Sequence, residues 1–188
     1  MTRGLPLTNK EPYKHKLLSE FPEGFIVVID TRETDPLFYR GGVPRKGIPM
    51  VRKTMETGDY SLLGFECCIS IERKKPNDLY NCLGKERDRF KRELTRLACY
   101  QRKWLLVEAS ETEALSVQEY SAMHPNAVRQ SLVSIDIKMG IPIHYAQNKT
   151  WSEIWVLDRL VQFYKAVREG SLYKGETNDD KEKSREGA

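Results

Sequence analysis

The chain has 188 residues, 39% of them hydrophobic, which is enough to bury the core of one domain without requiring a second. No apolar run reaches the roughly 20 residues of a membrane span, and the four cysteines include no CxxC pair. The composition therefore argues against a membrane protein, a structural zinc site and a secreted disulfide scaffold, and it favours a reducing intracellular compartment. The net charge of +4 is by itself weak evidence for a nucleic-acid partner.

The two ends of the chain differ in composition from its middle. Residues 1–22 are polar with charges of both signs, and residues 174–188 contain a single aliphatic side chain. Such a tail cannot bury enough apolar surface to become ordered. We therefore predict a partly ordered N-terminal extension over residues 1–22, one domain over 23–170 and a disordered polar tail over 171–188.

Short apolar runs alternate with turn residues in the first half of the chain. The β-branched run Phe25–Ile29, bounded by Gly24 and Asp30, is typical of a buried strand. Residues 40–47 form a basic loop rich in turn residues. Three more strands are predicted over 48–56, 59–63 and 67–74, the last two joined as a hairpin by a turn at 64–66.

Helix and strand patterns alternate in the second half of the chain. A helix is predicted from Pro76 to about Arg102, with Asn77 or Asp78 as its capping residue. The remaining elements are a strand over 104–108, a helix opened by His124 and stopped by Gly140, a strand over 141–145 that Pro142 places near a sheet edge, and a helix over 151–168. This alternation predicts an α/β fold in layers.

Two carboxylates and a lysine meet at one end of the predicted hairpin. The turn places Asp59 across from Ile71 or Glu72, and period-two alternation puts Glu72 and Lys74 on one face of their strand. Carboxylate oxygens are the ligands of Mg²⁺, so the acids could hold a metal while Lys74 orients or helps to deprotonate an attacking water. A Glu-x-Lys pair alone is more often a surface salt bridge. The neighbouring Gly58, Tyr60 and Asp78 shift the interpretation toward a metal site.

Other charged residues near this block have more than one interpretation each. Asp30 is a further metal ligand, an acid that supports the metal ligands, or merely the start of a turn. Arg32 and Glu33 pair with each other or with the catalytic acids, and Arg32 is also a candidate for phosphate contact. Arg73, on the opposite face from Glu72, is expected to be buried and paired, with its backbone carbonyl placed where a metal ligand is often found. Asp78 is expected to be a helix cap first and a site residue second.

Positive charge is concentrated just after the candidate site. Residues 85–103 contain eight basic and three acidic residues, a local charge of +5 that covers the whole net charge. Such a run is either the solvated face of an amphipathic helix or a phosphate-binding surface. The candidate DNA-binding residues are Lys85, Arg87, Arg89, Lys91, Arg92 and Arg96. Lys46, Arg52 and Lys53 offer a second patch, and His124 is expected to cap a helix rather than to act as a base.

Four separated blocks, taken in order, resemble the nuclease domain of the XPF-type structure-specific endonucleases, including the archaeal Hef branch. The blocks are Val28–Glu33, Gly58–Tyr60, Ile71–Lys74 with Asp78–Leu79, and His124–Arg129. The family signature, GDXnERKX3D, is satisfied by Asp59, Glu72, Arg73, Lys74 and Asp78. The resemblance covers roughly residues 24–168 and implies a restriction-endonuclease-like core, a mixed central sheet flanked by helices.

The resemblance also implies a function. It implies Mg²⁺ dependence, with Mn²⁺ as a substitute, and cleavage of one strand near a junction in branched DNA such as a flap or fork. By matching position, Asp59 and Glu72 would be metal ligands and Lys74 the lysine that positions water. The supporting residues would be Asp30, Arg32, Glu33, Arg73 and Asp78.

The sequence departs from the family in two respects. The loop 41–47 and the segment between Asp59 and Glu72 look longer or more irregular than the usual form. No tandem helix-hairpin-helix module follows the domain and no helicase precedes it in these 188 residues, so a stand-alone form is expected, with a second copy or a partner subunit supplying DNA targeting. A non-catalytic DNA-binding or scaffolding subunit is the main alternative, and an RNA or nucleotide phosphodiesterase is a more distant one.

Overall fold

A mixed sheet of six strands forms the centre of the protein. The computed structural model describes residues 20–116 and 123–172, so most of the predicted extension and nearly all of the predicted tail lie outside the described residues. The strands are β1 (Val27–Ile29), β2 (Tyr39–Arg40), β3 (Val43–Pro44), β4 (Met50–Arg52), β5 (Tyr60–Leu62), β6 (Ile69–Lys74), β7 (Arg102–Val107) and β8 (Ile143–Tyr145). The helices are α1 (Pro76–Leu83), α2 (Arg87–Ala98), α3 (Glu111–Ala114), α4 (Pro125–Met139) and α5 (Lys149–Arg168).

The order of strands in the central sheet is β4-β1-β5-β6-β7-β8. Strand β5 is antiparallel to both β1 and β6, whereas β4 pairs in parallel with β1, and β6, β7 and β8 pair in parallel with one another. Parallel neighbours need crossover helices, and α1 with α2 and then α4 supply them between β6, β7 and β8. Strand β8 lies at an edge, as Pro142 predicted.

Helices cover both faces of this sheet. On one face, α5 packs its apolar residues, among them Val156, Leu157 and Leu160, against β1, β5 and β6. On the other face, α1, α2 and α4 pack around Leu105 and Val107 of β7. The α/β class and the mixed sheet flanked by helices are therefore confirmed. Within the described ranges, no helix is both long enough and apolar enough to cross a membrane.

The predicted helix from Pro76 to Arg102 is wrong as a single element. It is divided into α1 and α2 at Gly84, whose amide donates to Tyr80 O (2.9 Å) and ends the first helix. Glycine in a helix interior costs about 1 kcal/mol relative to alanine, so this position favours a break. The cap prediction is also wrong, because Lys75 occupies the N-cap position of α1 and makes no side-chain capping bond.

The strand predicted over 48–56 is reduced to the three residues of β4. Among the described strands it pairs only with β1, which is itself three residues long and limits the length of this pairing. The basic loop after β1 contains a small hairpin of β2 and β3, which the sequence pattern did not predict. Its turn residues Gly41 and Gly42 have φ values of 55° and 78°, the left-handed conformations that a two-residue hairpin turn requires.

Candidate active site

Asp59 and Glu72 lie opposite each other on neighbouring strands, as the hairpin pattern predicted. Tyr60 pairs with Ile71 in an antiparallel ladder, so Asp59, which precedes Tyr60, faces Glu72, which follows Ile71. The Asp59 amide donates to Ile71 O (2.9 Å), and the Arg73 amide donates to Asp59 Oδ2 (2.7 Å). These two bonds hold the Asp59 carboxylate at the edge of a cavity, beside the end of β6.

Gly58 allows the strands to approach closely enough for this pairing. Its φ is 83°, and a Cβ built on it would lie 1.9 Å from Ser70 Oγ on β6. Ser70 Oγ is held in place because it donates to Thr57 O (3.0 Å). The glycine before Asp59 is therefore required both by backbone conformation and by space.

Replacing Gly58 by alanine is expected to lower the free energy of unfolding by about 2–4 kcal/mol, the sum of left-handed strain and overpacking. Gly64 is the matched control, because its φ is 84° but nothing lies within 4 Å of a built Cβ. Gly64→Ala is expected to cost only about 1 kcal/mol, from strain alone. Urea denaturation of both variants measures the difference, and equal losses would contradict the proposed clash.

The two carboxylates are crowded and partly without partners. Burial, followed by the nearby charge of Glu72, raises the pKa of Asp59 well above its usual range. Burial also raises the pKa of Glu72, although the charge of Lys74 works in the opposite direction. Glu72 Oε2 is buried without a hydrogen-bond partner. A divalent cation would offset both the repulsion and the missing bond, so the donor set fits a hard metal ion.

The carboxylates do not by themselves form a complete metal cage. Within residues 20–116 and 123–172, no group of three or more His, Cys, Asp or Glu side chains is arranged to hold a metal ion. Mg²⁺ commonly binds through one or two carboxylates and keeps several of its waters. Two acids and a backbone carbonyl are therefore enough protein ligands for this ion.

Lys74 is a cation in this arrangement. It forms an ion pair with Glu72, and its amine lies 5.5 Å from the centre of the Phe90 ring. Burial would lower the pKa of Lys74, but the charges of Glu72 and Asp59 outweigh burial and raise it. Of the two roles that the sequence suggested, a protonated amine suits orientation of water and neutralisation of phosphate rather than proton abstraction.

Arg73 is buried and paired, as predicted from its place on the opposite face of β6. Its Nε donates to Glu108 Oε2 (2.8 Å), and its Nη1 donates to Asp35 O (2.8 Å) and Glu33 Oε2 (3.4 Å). The guanidinium therefore joins the end of β7 to the segment that follows β1. Glu108 and Asp35 were not identified from the sequence, although Glu108 directly follows an apolar strand.

Asp30 is engaged by four hydrogen bonds. Its carboxylate accepts bonds from the Arg32 amide (2.8 Å), Arg32 Nε (2.7 Å), Arg32 Nη2 (3.0 Å) and the Met55 amide (2.7 Å). With both oxygens occupied, this geometry favours the turn role of Asp30 over the role of metal ligand. It also pairs Arg32 with Asp30 rather than with Glu33.

A cavity of about 310 Å³ lies beside Asp59 and Lys74. It is lined by the acids Glu33, Asp59, Asp78 and Glu86 and by the cations Arg32, Arg73, Lys74 and Arg89. Asp78, which does not cap α1, thus lies at the cavity instead. The cavity combines a place for a cation with positive groups that could face phosphate oxygens.

Glu93 is a third acid at the site that sequence reasoning missed. Its negative charge contributes, after burial, to the raised pKa of Glu72. Glu93 Oε2 is buried and lies 3.8 Å from Arg89 Nη1. In the sequence, Glu93 lies three residues after Phe90 and four before Leu97, so its spacing beside the apolar stripe of α2 is the signal that could have found it.

The predicted DNA-binding residues are all exposed, on α2 and on the short connection before it: Lys85, Arg87, Arg89, Lys91, Arg92 and Arg96. Arg89 lines the cavity beside Asp59 and Lys74, whereas Arg87 and Lys91 line a neighbouring groove against α4. Their contact with DNA stays a prediction. His124 caps α4 through a bond from the Asn126 amide to Nδ1 (3.2 Å), as expected from its position.

The central sheet and its helical layers form a restriction-endonuclease-like fold, with the acids and the lysine together at the end of β6. The chain belongs to the ERCC4 domain family, whose model matches residues 29–157. This family, which includes the XPF-type proteins, is one of structure-specific DNA nucleases, so the chain is a member of that class.

Two solved structures show the same fold. XPF from Aeropyrum pernix is 22% identical, with a TM-score of 0.57, and the match covers 79% of this chain and 71% of that one. A second structure of XPF from Aeropyrum pernix, a complex with DNA, is 19% identical, with a TM-score of 0.56 and coverage of 75% and 65%. Among curated proteins, no significant match was found.

Proposed function

We propose that this protein is a metal-dependent DNA endonuclease that hydrolyses one strand near a junction in branched DNA, such as a flap or a fork, during repair, recombination or replication. The observation that carries the proposal is the opposed pair Asp59 and Glu72, with the orphaned Glu72 Oε2 buried beside the cation of Lys74, and with Asp59 and Lys74 lining a cavity. Phosphodiester hydrolysis needs such a combination of hard oxygen ligands and positive charge.

Asp59, Glu72 and the backbone carbonyl of Arg73 would hold Mg²⁺, for which Mn²⁺ could substitute. When bound, the metal would supply charge neutralisation and a more acidic water. Lys74 orients the attacking water and faces the charge that develops on the phosphate. Arg32 and Arg89, which line the same cavity, contact the non-bridging oxygens and fix the strand.

The activity can be tested on a panel of labelled DNA comprising single strands, duplex, flap, fork and four-way junction, with Mg²⁺, with Mn²⁺ and with EDTA. We expect metal-dependent nicking of flap or fork DNA at least about tenfold faster than of duplex, a difference of about 1.4 kcal/mol in the barrier. Binding of forks without cleavage by either metal would instead identify a non-catalytic DNA-binding or scaffolding subunit.

We propose further that a second copy of the chain or a partner subunit contributes to DNA targeting. The single catalytic cavity and the one basic helix beside it, within the described residues, offer a small contact area for selecting a junction. Light scattering of the protein with and without fork DNA measures the number of copies in the complex.

Reversing the charge at Arg89 and Arg92 together is expected to weaken fork binding by at least about tenfold. It should also reduce the slope of log K against log salt by about one for each phosphate that is no longer neutralised. Lys165→Glu, an exposed change on α5 beyond the opposite face of the sheet, is the control and should leave both quantities unchanged. An unaltered affinity in the double variant would show that α2 presents only a solvated face.

A further inference from the structure

The hairpin of β2 and β3 projects an apolar side chain within a basic surface. Val43 is 65% exposed and directly follows the Gly41–Gly42 turn. The segment 38–47 carries three basic residues, Arg40, Arg45 and Lys46, and no acid. Its positive surface is complementary to a polyanion, and the exposed valine at its tip lies outside the two apolar cores of the described residues.

The base of the hairpin is fastened to the core by Glu153. This carboxylate of α5 is fully buried and accepts bonds from the Phe38 amide (3.0 Å), Arg40 Nη2 (2.7 Å) and Arg45 Nη1 (3.3 Å). The Arg45 amide also donates to Phe38 O (2.7 Å). A buried charge is tolerated only when it is paired in this way, so Glu153 holds the hairpin in one position relative to the sheet.

The hairpin is also linked to the catalytic cavity. The segment that joins them contains Asp35, whose carbonyl accepts a bond from Arg73 Nη1 and whose carboxylate pairs with Lys75 (2.8 Å) and Lys149 (2.5 Å). Thr34 lines the catalytic cavity and also a second cavity of about 400 Å³, bounded by the hairpin and the start of α5. A DNA strand that leaves the catalytic cavity on this side would meet the hairpin.

We propose that this hairpin contacts the DNA junction, with Val43 inserted against the last paired bases while Lys46 contacts a flanking phosphate. Apolar side chains on rigid elements separate base steps in this manner, at a cost that is lowest where pairing already ends. The inference rests on the proposed function, since it names the element that sets the distance between the junction and the site of hydrolysis. Pro44, which lacks an amide donor, disfavours strand addition at the hairpin as the alternative use.

Fork DNA with 2-aminopurine at the first base pair of the duplex provides the test, since its fluorescence increases when the base is unstacked. Measured in EDTA, without hydrolysis, the wild type is expected to increase the signal, and Val43→Ser to lose at least about half of the increase with an affinity within about twofold. Val43→Leu, which stays apolar, should keep the increase. Val133→Ser is the matched control, because Val133 is 48% exposed on α4, on the other face of the sheet.

An unchanged fluorescence increase in Val43→Ser, or no fork binding by the wild type, would overturn the proposed contact. A wild type that increases fluorescence through Val43 in EDTA but never cuts with Mg²⁺ or Mn²⁺ would support the contact while rejecting the proposed catalysis. Cleavage of forks together with a fluorescence increase that does not depend on Val43 would support the proposed catalysis while rejecting the contact. The two proposals therefore fail in different ways.

Discussion

Lys74→Ala and Asp59→Ala are each expected to reduce metal-dependent cleavage of fork DNA by at least about 100- to 1,000-fold, while the protein stays folded and bound to DNA. Removing one preorganised charged group at a reacting phosphate costs about that factor. Lys74 is the cation beside Glu72, and Asp59 is one of the two opposed carboxylates. Single-turnover cleavage of a labelled fork measures the effect.

A surface lysine provides the control for this prediction. Lys165 is exposed on α5, beyond the face of the sheet opposite α2, so Lys165→Ala should leave the cleavage rate within about twofold. Thermal unfolding with Mn²⁺ adds a readout that does not depend on activity: Asp59→Ala should lose the stabilisation that the wild type gains from the metal. Persistent cutting in both site variants would place the active site elsewhere.

The same variants separate a catalytic Lys74 from a structural one. If Lys74 served only to neutralise buried Glu72, its loss would destabilise the protein, and the cleavage rate per folded molecule would survive at low temperature. A catalytic Lys74 gives the opposite result, a folded protein that binds forks without cutting them. Circular dichroism at the assay temperature determines which fraction is folded.

The parts of the site that depend on local pattern could be predicted from the sequence. The hairpin places Asp59 opposite Glu72, and strand alternation separates Glu72 and Lys74 from buried Arg73. Both follow from the period of a strand and the length of a turn, which are properties of neighbouring residues.

The parts that depend on packing between distant elements could not be predicted in this way. Glu153 pairs with Arg40 across 113 positions, and Glu108 pairs with Arg73 across 35. Each of these acids looks like an ordinary polar residue within its own helix or strand end. Glu93 was missed for a different reason: its spacing from Phe90 and Leu97 places it beside the apolar stripe of α2, but its charge made it look like part of the solvated face.

Arg73 illustrates how such distant pairs support the site. Its side chain is 3% exposed and lies 2.6 Å from Glu108, 3.4 Å from Glu33 and 3.8 Å from Asp35. Burial would lower the pKa of Arg73, but Tyr60, Glu108 and Glu33 outweigh burial and raise the pKa, so the group stays charged. One buried cation thus offsets the charge of the acids around it, and removing it leaves them unpaired.

Arg73→Leu is therefore expected to lower the free energy of unfolding by about 3–5 kcal/mol, the usual cost of breaking a buried ion pair. Adding Glu108→Gln removes the buried carboxylate charge that Arg73→Leu leaves without a partner. The free energy of unfolding of the double variant should therefore be higher than that of Arg73→Leu by at least about 1 kcal/mol. Urea denaturation of the wild type, both single variants and the double variant completes the cycle.

Because the Arg73 amide, and not its guanidinium, holds Asp59, cleavage per folded molecule should fall less in Arg73→Leu than in Lys74→Ala. Additive losses in the cycle would show that Arg73 and Glu108 are not coupled, and the guanidinium would then stabilise the site through its contact with the segment after β1.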